Sequence, residues 1–446
     1  MIHSLEMDNF YSNQKSLLFT GMLFGTAIFM HQSGVILGIN LSIADLFCIV
    51  LMGYLIITKQ FIIPISPLLC FLVLSILVIV TASFYIPIRF DFSPYPAAII
   101  SDYLKLLAIF GYFLLGYNLS NLNFLDKTVQ WYSFFGIFIG FVGIVLTFVY
   151  TGLFREMLFF AGSRYRGLML DPNYYSVLQV TALVYFTRVK AIRFNLKYLA
   201  ITIIILSVLI SGSKTGLITL GCYFLLRVLE YLFLTRKKLI VLVSHLMLIT
   251  FILLLFPVFI NIVQQLLNSL AATIPSSGRV YHLFTDFTAA ISESGSGREA
   301  TWVTALKVIQ SSPVVGVGIG TYTSLAAELF LYDNVAHNTF LQLSAEWGLP
   351  FAIAFFSFVL FALAKATASF NQTSVMNLIL RDIIVILLIG SIAISLNNGR
   401  MLWLFLGALV YSLRSSPSHK WFVTGGIKEG KGREINASKG IPLFKR

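Results

Sequence analysis

The sequence predicts an all-α membrane protein of about twelve transmembrane helices with one large, partly helical extracytoplasmic loop. Three observations predict it. The 446 residues are 58% hydrophobic and only 11% charged, with a mean hydropathy of +0.88, whereas soluble domains carry about 25% charged residues. Apolar runs of about 20 residues, the length a bilayer-crossing helix needs, follow one another with short connections. One long polar stretch, residues 263–336, breaks the series and is too rich in Leu, Val, Tyr and Trp to be a disordered spacer.

Taken in order, the apolar segments are 17–35, 37–58, 62–83, 97–117, 128–151, 172–187, 194–211, 214–234, 239–262, 337–364, 377–396 and 400–414. They divide the chain into transmembrane helices over 1–262, the large loop over 263–336, three more helices over 337–414 and a basic tail over 415–446. The first apolar run has no small-residue cleavage signature, so an uncleaved first helix is expected. Cys48, Cys70 and Cys222 lie in apolar runs, too far apart for a metal motif, and read as small buried hydrophobes. The net charge of +13 fits membrane topology and anionic lipid rather than nucleic acid. With both termini in the cytoplasm, most Lys and Arg fall on the cytoplasmic side, at nearly every loop. That places 263–336 outside. Paired, interrupted helices of the kind transporters build from inverted repeats are not found.

Several basic residues fall on the outer side, where topology does not call for them. Arg164 and Arg166 precede a helix expected to start at Pro172, with Asp171 as its N-cap. They suit lipid headgroups or, through the planar guanidinium fork, a phosphate. Ser211-Gly212-Ser213-Lys214-Thr215-Gly216 superficially resembles a phosphate-binding loop, but Ser213 stands where that motif needs Gly. Lys214 is a headgroup anchor or a phosphate contact. Gly297-Arg298 opens a short amphipathic helix running to Ile309, with Trp302 and Leu306 on one face. Gly316, Gly318 and Gly320 read as a flexible turn. His337 stands at the mouth of an apolar helix with an imidazole able to take a proton near neutral pH, although a lone helix-end His is more often structural than catalytic. Asn338 could orient a hydroxyl or the imidazole. Glu346, deeper in the same helix, and Asp45, Asp102 with Lys105, and Arg381 with Asp382 are ionisable groups at membrane depth, which usually face a protein interior.

These pieces, in this order, resemble the O-antigen ligase and Wzy-type polysaccharide polymerase superfamily. The matching motifs are Arg164-x-x-Gly167 with Asp171-Pro172-Asn173, then Ser213-Lys214, Gly297-Arg298-x-x-x-Trp302, Pro313-x-x-Gly316-x-Gly318, His337-Asn338-Thr339-Phe340-Leu341 and Glu346-Trp347-Gly348. They span roughly residues 160–350; the first 150 residues match only in hydropathy. Lys214 stands where the family commonly has Arg, which exchanges a two-pronged contact for a point charge.

The resemblance implies an inverting glycosyltransferase at the outer face of the bacterial inner membrane, needing neither metal nor cofactor, with an undecaprenyl-diphosphate-linked glycan as donor. Arg164, Arg166, Lys214 and Arg298 would hold the diphosphate and stabilise its charge as it leaves. His337 would be the general base, and Asn338 and Glu346 would position the acceptor. Polymerisation of lipid-linked repeat units into O-antigen, capsule or exopolysaccharide is the leading expectation. Transfer of the finished glycan to lipid A-core or protein is the alternative, and a non-enzymatic transporter of lipid-linked sugar a second. A chain-length regulator or flippase of the same pathway would be a partner, beside the bilayer itself.

Overall fold

The first N–H groups of a helix have no partner within it, and the local sequence decides how they are satisfied. The computed structural model describes residues 17–33, 42–149, 154–234, 298–368 and 374–415, with isolated positions between 247 and 281. After α1 (Leu17–Phe29), α2 (Ile43–Ile57) starts in a capping box. The Ser42 hydroxyl accepts from Ala44 N, and Asp45 accepts from Ser42 N at 2.8 Å. α3 (Ile65–Phe90) contains a π turn at Thr81–Tyr85. α4 (Pro96–Asn121) opens on proline, whose missing N–H costs nothing there. α5 (Leu125–Phe148) leads to a two-stranded hairpin of β1 (Phe159–Phe160) and β2 (Arg164–Tyr165), antiparallel with Phe160 opposite Arg164. α6 (Pro172–Arg188) begins as expected: Pro172 is its first residue and Asp171 accepts from Asn173 N and Tyr174 N. α7 (Phe194–Ile210) turns through Gly212 into α8 (Lys214–Leu229), capped by Ser213 and prolonged by a π turn at Glu230–Leu234. Then come α9 (Arg298–Ser311), α10 (Tyr322–Phe330), α11 (Thr339–Trp347), α12 (Leu349–Ala368), α13 (Val375–Gly390) and α14 (Arg400–Ser415).

The described chain is almost entirely helical. Among the described residues, five helices are long and apolar enough to cross a membrane: α3, α4, α5, α8 extended to Leu232, and α12; α1, α2 and α7 are shorter and apolar. The remaining expected segments also form helices, except 239–262, which lies outside the described residues apart from Met247, Asn261 and Ile262. So do Gly297, most of the loop before it and the tail beyond Ser415. The chain divides into a unit over Met1–Leu413 and a second over Arg414–Arg446, of which Arg414 and Ser415 alone are described.

α6 is the hub: α5, α7, α8 and α13 all pack on it. Its Val177, Leu178, Val180, Ala182, Leu183 and Val184 are fully buried, and so are its polar Ser176, Gln179 and Thr181. α3 and α12 instead expose Ile65, Val73, Ile76, Leu360 and Phe361, as suits helices that face hydrocarbon.

The structure corrects three expectations. The segment 337–364 is two helices, broken at Gly348. Gly348 takes φ +78° and a Cβ added there would stand 2.1 Å from the Val314 carbonyl oxygen, while Leu349 N donates to Pro313 O at 2.8 Å. The Gly316–Gly320 stretch is a packed wedge, not a flexible turn. All three glycines have positive φ, and an added Cβ would stand 2.5 Å from Gly348 N at Gly316, 2.5 Å from Ala82 N at Gly318 and 2.6 Å from Ala98 O at Gly320. Val317 N and Gly318 N donate to Ala345 O and Glu346 O, at 2.8 and 3.0 Å. Of the cysteines, Cys48 alone is buried; Cys70 is exposed and Cys222 half-buried, because each takes the face its helix position dictates.

Candidate functional site

The hairpin and the starts of α6, α8, α9 and α11 meet at one end of the bundle. Arg164 is buried on β2 and bridges two of them. Its Nε donates to Ser211 O at 3.1 Å and its Nη2 to Asn173 Oδ1, also at 3.1 Å. Asn173 Oδ1 accepts a second bond, from Ser213 Oγ at 2.9 Å. Ser213 meanwhile caps α8 through Gly216 N. Arg164, Asn173 and Ser213 are thus one polar unit, and it places half-buried Lys214, the first residue of α8, beside them. Arg298, the first described residue of α9, reaches α8 as well: its Nη2 lies 3.4 Å from Thr215 Oγ1.

His337 closes the cluster. It is half-buried and lies within electrostatic reach of both Asp171 and Arg298. Burial pulls its imidazole below the ordinary value near 6.5; Asp171 pulls it back up and Arg298 pushes it down again. Its backbone is left-handed, with φ +49°. That conformation costs an L-residue about 1–2 kcal/mol, and such residues concentrate at functional sites. Both flanks of His337 are held. Ala336 N donates to Gln342 Oε1 at 3.0 Å. Beyond it, Thr339 N donates to Ser391 O at 2.8 Å, and Thr339 Oγ1 donates to Ile394 O and accepts from Leu396 N.

Sequence reasoning named Arg164, Lys214, Arg298 and His337, and the fold brings them together. Arg166 sits on the same loop but is engaged locally: its guanidinium donates to the carbonyls of Leu170 and Glu156, and its Nε is buried. Asn338 is nearly buried and its amide oxygen caps α11 by accepting from Leu341 N at 3.1 Å. Glu346 is buried behind the loop and accepts from Gln342 Nε2 at 2.5 Å. Trp302 keeps its indole N–H buried without a described partner.

The residues missed are the neutral ones that join the motifs, Ser213, Thr215 and Gln342, and the ion pair of Asp45 with Arg400. Arg400 Nε and Nη2 bond the two Asp45 oxygens at 2.5 and 2.6 Å, and Tyr112 donates to the same carboxylate. Gln342 had a signal: four residues before Glu346, it shares a helix face with it.

Around this end the positive ends of several helix dipoles and several basic side chains converge, an arrangement that favours an anion. Residues 199–356 match the family model described as O-antigen ligase. The match runs from α7 into α12 and includes Lys214, Arg298 and His337, with Arg164 upstream of it. No curated protein matches the chain.

Proposed function

From the match of residues 199–356 to the family model described as O-antigen ligase, we propose that this protein transfers a glycan from a polyprenyl diphosphate to a sugar hydroxyl. Members of that family are glycosyltransferase-like enzymes. The observation that carries the reading is the convergence of Arg164, Lys214, Arg298 and His337, from four separate stretches, on one end of the bundle.

The donor's diphosphate lies against Arg164, Lys214 and Arg298, and its prenyl tail stays in the bilayer among the apolar helix faces. His337 takes the proton of the acceptor hydroxyl as that oxygen bonds to the sugar C1. The bond from C1 to the diphosphate oxygen breaks with its electron pair on the diphosphate, and the configuration at C1 inverts. Cations set in place before the reaction stabilise that leaving charge more than water would, because they need no reorganisation. A base held below the ordinary imidazole range is neutral, and so ready, at physiological pH. The cluster faces the extracytoplasmic side of the inner membrane, and the termini lie in the cytoplasm.

The acceptor in the leading reading is a second lipid-linked repeat unit, which makes the enzyme a polymerase. The second reading, to which the family model's description lends its name, is a ligase that delivers finished glycan to lipid A-core or protein. Liposomes holding the purified protein and one polyprenyl-diphosphate-linked repeat unit separate the two. A product ladder that disappears in His337→Ala supports the polymerase. A single transfer that appears only when lipid A-core or an acceptor protein is added supports the ligase. Folded protein that forms no product with any of these acceptors contradicts both.

A further inference from the structure

His337 is held in a left-handed backbone conformation by a loop with no regular structure of its own, so something must hold the loop. One hydrogen-bonded chain does so from inside α11. Ala336, immediately before His337, is fully buried, and its N–H donates to Gln342 Oε1 at 3.0 Å. The other end of that amide, Gln342 Nε2, donates to Glu346 Oε1 at 2.5 Å. Gln342 and Glu346 are both buried and stand one helical turn apart. The Ala336 N–H sets the direction of the amide: it can only donate, so the amide oxygen must face it, which leaves the NH2 group to donate to Glu346 Oε1. Reversing the amide would set donor against donor at Ala336. The base of the chain is fixed too, since Gly318 N donates to Glu346 O and Val317 N to Ala345 O. The wedge of Pro313–Gly320 is thereby tied to the same turn of α11 that holds the loop.

We propose that Gln342 and Glu346 are positioning residues for His337: Glu346 holds the Gln342 amide, and that amide fixes the Val335–Ala336 peptide, one residue before the one that carries the imidazole. This rests on the reading of His337 as the base. It gives Glu346 a task behind the imidazole rather than at the acceptor, and it gives Gln342 a role that no motif assigns to it.

The test uses the full-length protein in liposomes with a polyprenyl-diphosphate-linked repeat unit, and four variants: Gln342→Leu, Gln342→Glu, the exchange Gln342→Glu with Glu346→Gln, and His337→Ala. Each is assayed for kcat, KM and pH profile beside a thermal melt. Misplacing a reacting group by about 1 Å can cost 100-fold. Gln342→Leu is therefore expected to lower kcat by about 10–100-fold with KM unchanged, and to move the acidic limb of the profile toward the ordinary imidazole range. Gln342→Glu sets two carboxyl groups face to face and lowers kcat as well. The exchange rebuilds the pair with its polarity reversed, since an amide at 346 donates to a carboxylate at 342 that still accepts from Ala336 N, and it restores most of the rate. Wild-type kcat in Gln342→Leu overturns the proposal. So does an exchange variant that melts like the wild type yet stays as slow as Gln342→Glu, or a raised acceptor KM as the sole defect. If Gln342→Leu does not fold, the exchange decides. The His337→Ala control separates the two readings. Full activity there removes the base and the positioning proposal together, whereas an inactive His337→Ala beside a fully active Gln342→Leu removes the positioning alone.

Discussion

The two ends of the same helices, α6 and α8, hold their basic side chains by different described bonds. At their C-terminal ends, Arg188 of α6 and Arg227 of α8 meet Arg381 and Asp382 of α13 around Glu230. Arg188 bonds Asp382 and Glu230 at 2.6 Å each, Arg227 bonds Glu230 at 2.7 Å, and Arg381 bonds both carboxylates. Asp382 is fully buried, and Arg381 and Glu230 nearly so. At their N-terminal ends, the bonds described for Arg164 and Arg298 run to an amide oxygen, a carbonyl and a hydroxyl, while Asp171 spends its carboxylate on the cap of α6. Around Glu230, carboxylates bond the guanidinium groups and join α6, α8 and α13. At the other end, a carbonyl, an amide oxygen and a hydroxyl orient Arg164 and Arg298 at the helix starts where the anionic donor is proposed to sit.

The comparison makes predictions of graded size. Asp382→Ala leaves Arg188 and Arg381 to share Glu230, and breaking a buried ion pair from one side costs about 3–5 kcal/mol. Thermal melting of the purified protein in detergent should show that loss, the largest expected here. Arg298→Gln should do the reverse: stability within about 1 kcal/mol of wild type, as for a residue outside a packed core, with transfer down about 100–1000-fold, the size of effect seen when one preset oxyanion donor is removed. Steady-state rates in liposomes beside a melt check both halves.

The smallest expected effect concerns pH. With the imidazole pulled below 6.5, kcat/KM should fall on acidification only below the ordinary imidazole range, because protonation of the base abolishes its function. Asp171→Asn keeps a good N-cap but removes the carboxylate that raises the His337 pKa. The acidic limb should then move to lower pH. A limb that stays in place in a pH–rate profile would detach Asp171 from the site.

What was legible in the sequence follows from how local each signal is. Asp171-Pro172 announced the start of α6 by capping chemistry that needs three neighbouring residues, and the pairing of Lys105 with Asp102, 2.6 Å apart, needed one turn of helix. The apolar runs marked the helices because lipid-facing surface is a matter of composition. Arg164, Lys214, Arg298 and His337 were legible as isolated motifs. The bonds that tie Arg164 and Arg298 to α6 and α8 through Asn173, Ser213 and Thr215 were not, since neutral side chains carry no pattern that names a distant partner. The break at Gly348 was hidden by the uninterrupted hydropathy on both sides of it. It arises from the approach of residues 313–320, which a one-dimensional reading does not contain. Arg381 was legible beside its neighbour Asp382, but its second partner, Glu230, stands 151 positions away, and Asp45 and Arg400 stand 355 positions apart.

The most direct test of the contrast between the two ends is binding of glycan-free polyprenyl diphosphate to the protein in liposomes, measured for wild type, Arg298→Gln and Asp382→Ala beside their melting temperatures. The account predicts that Arg298→Gln loses affinity and keeps its melting temperature, while Asp382→Ala loses melting temperature first. Wild-type affinity in Arg298→Gln, or a loss of melting temperature there as large as in Asp382→Ala, would contradict it.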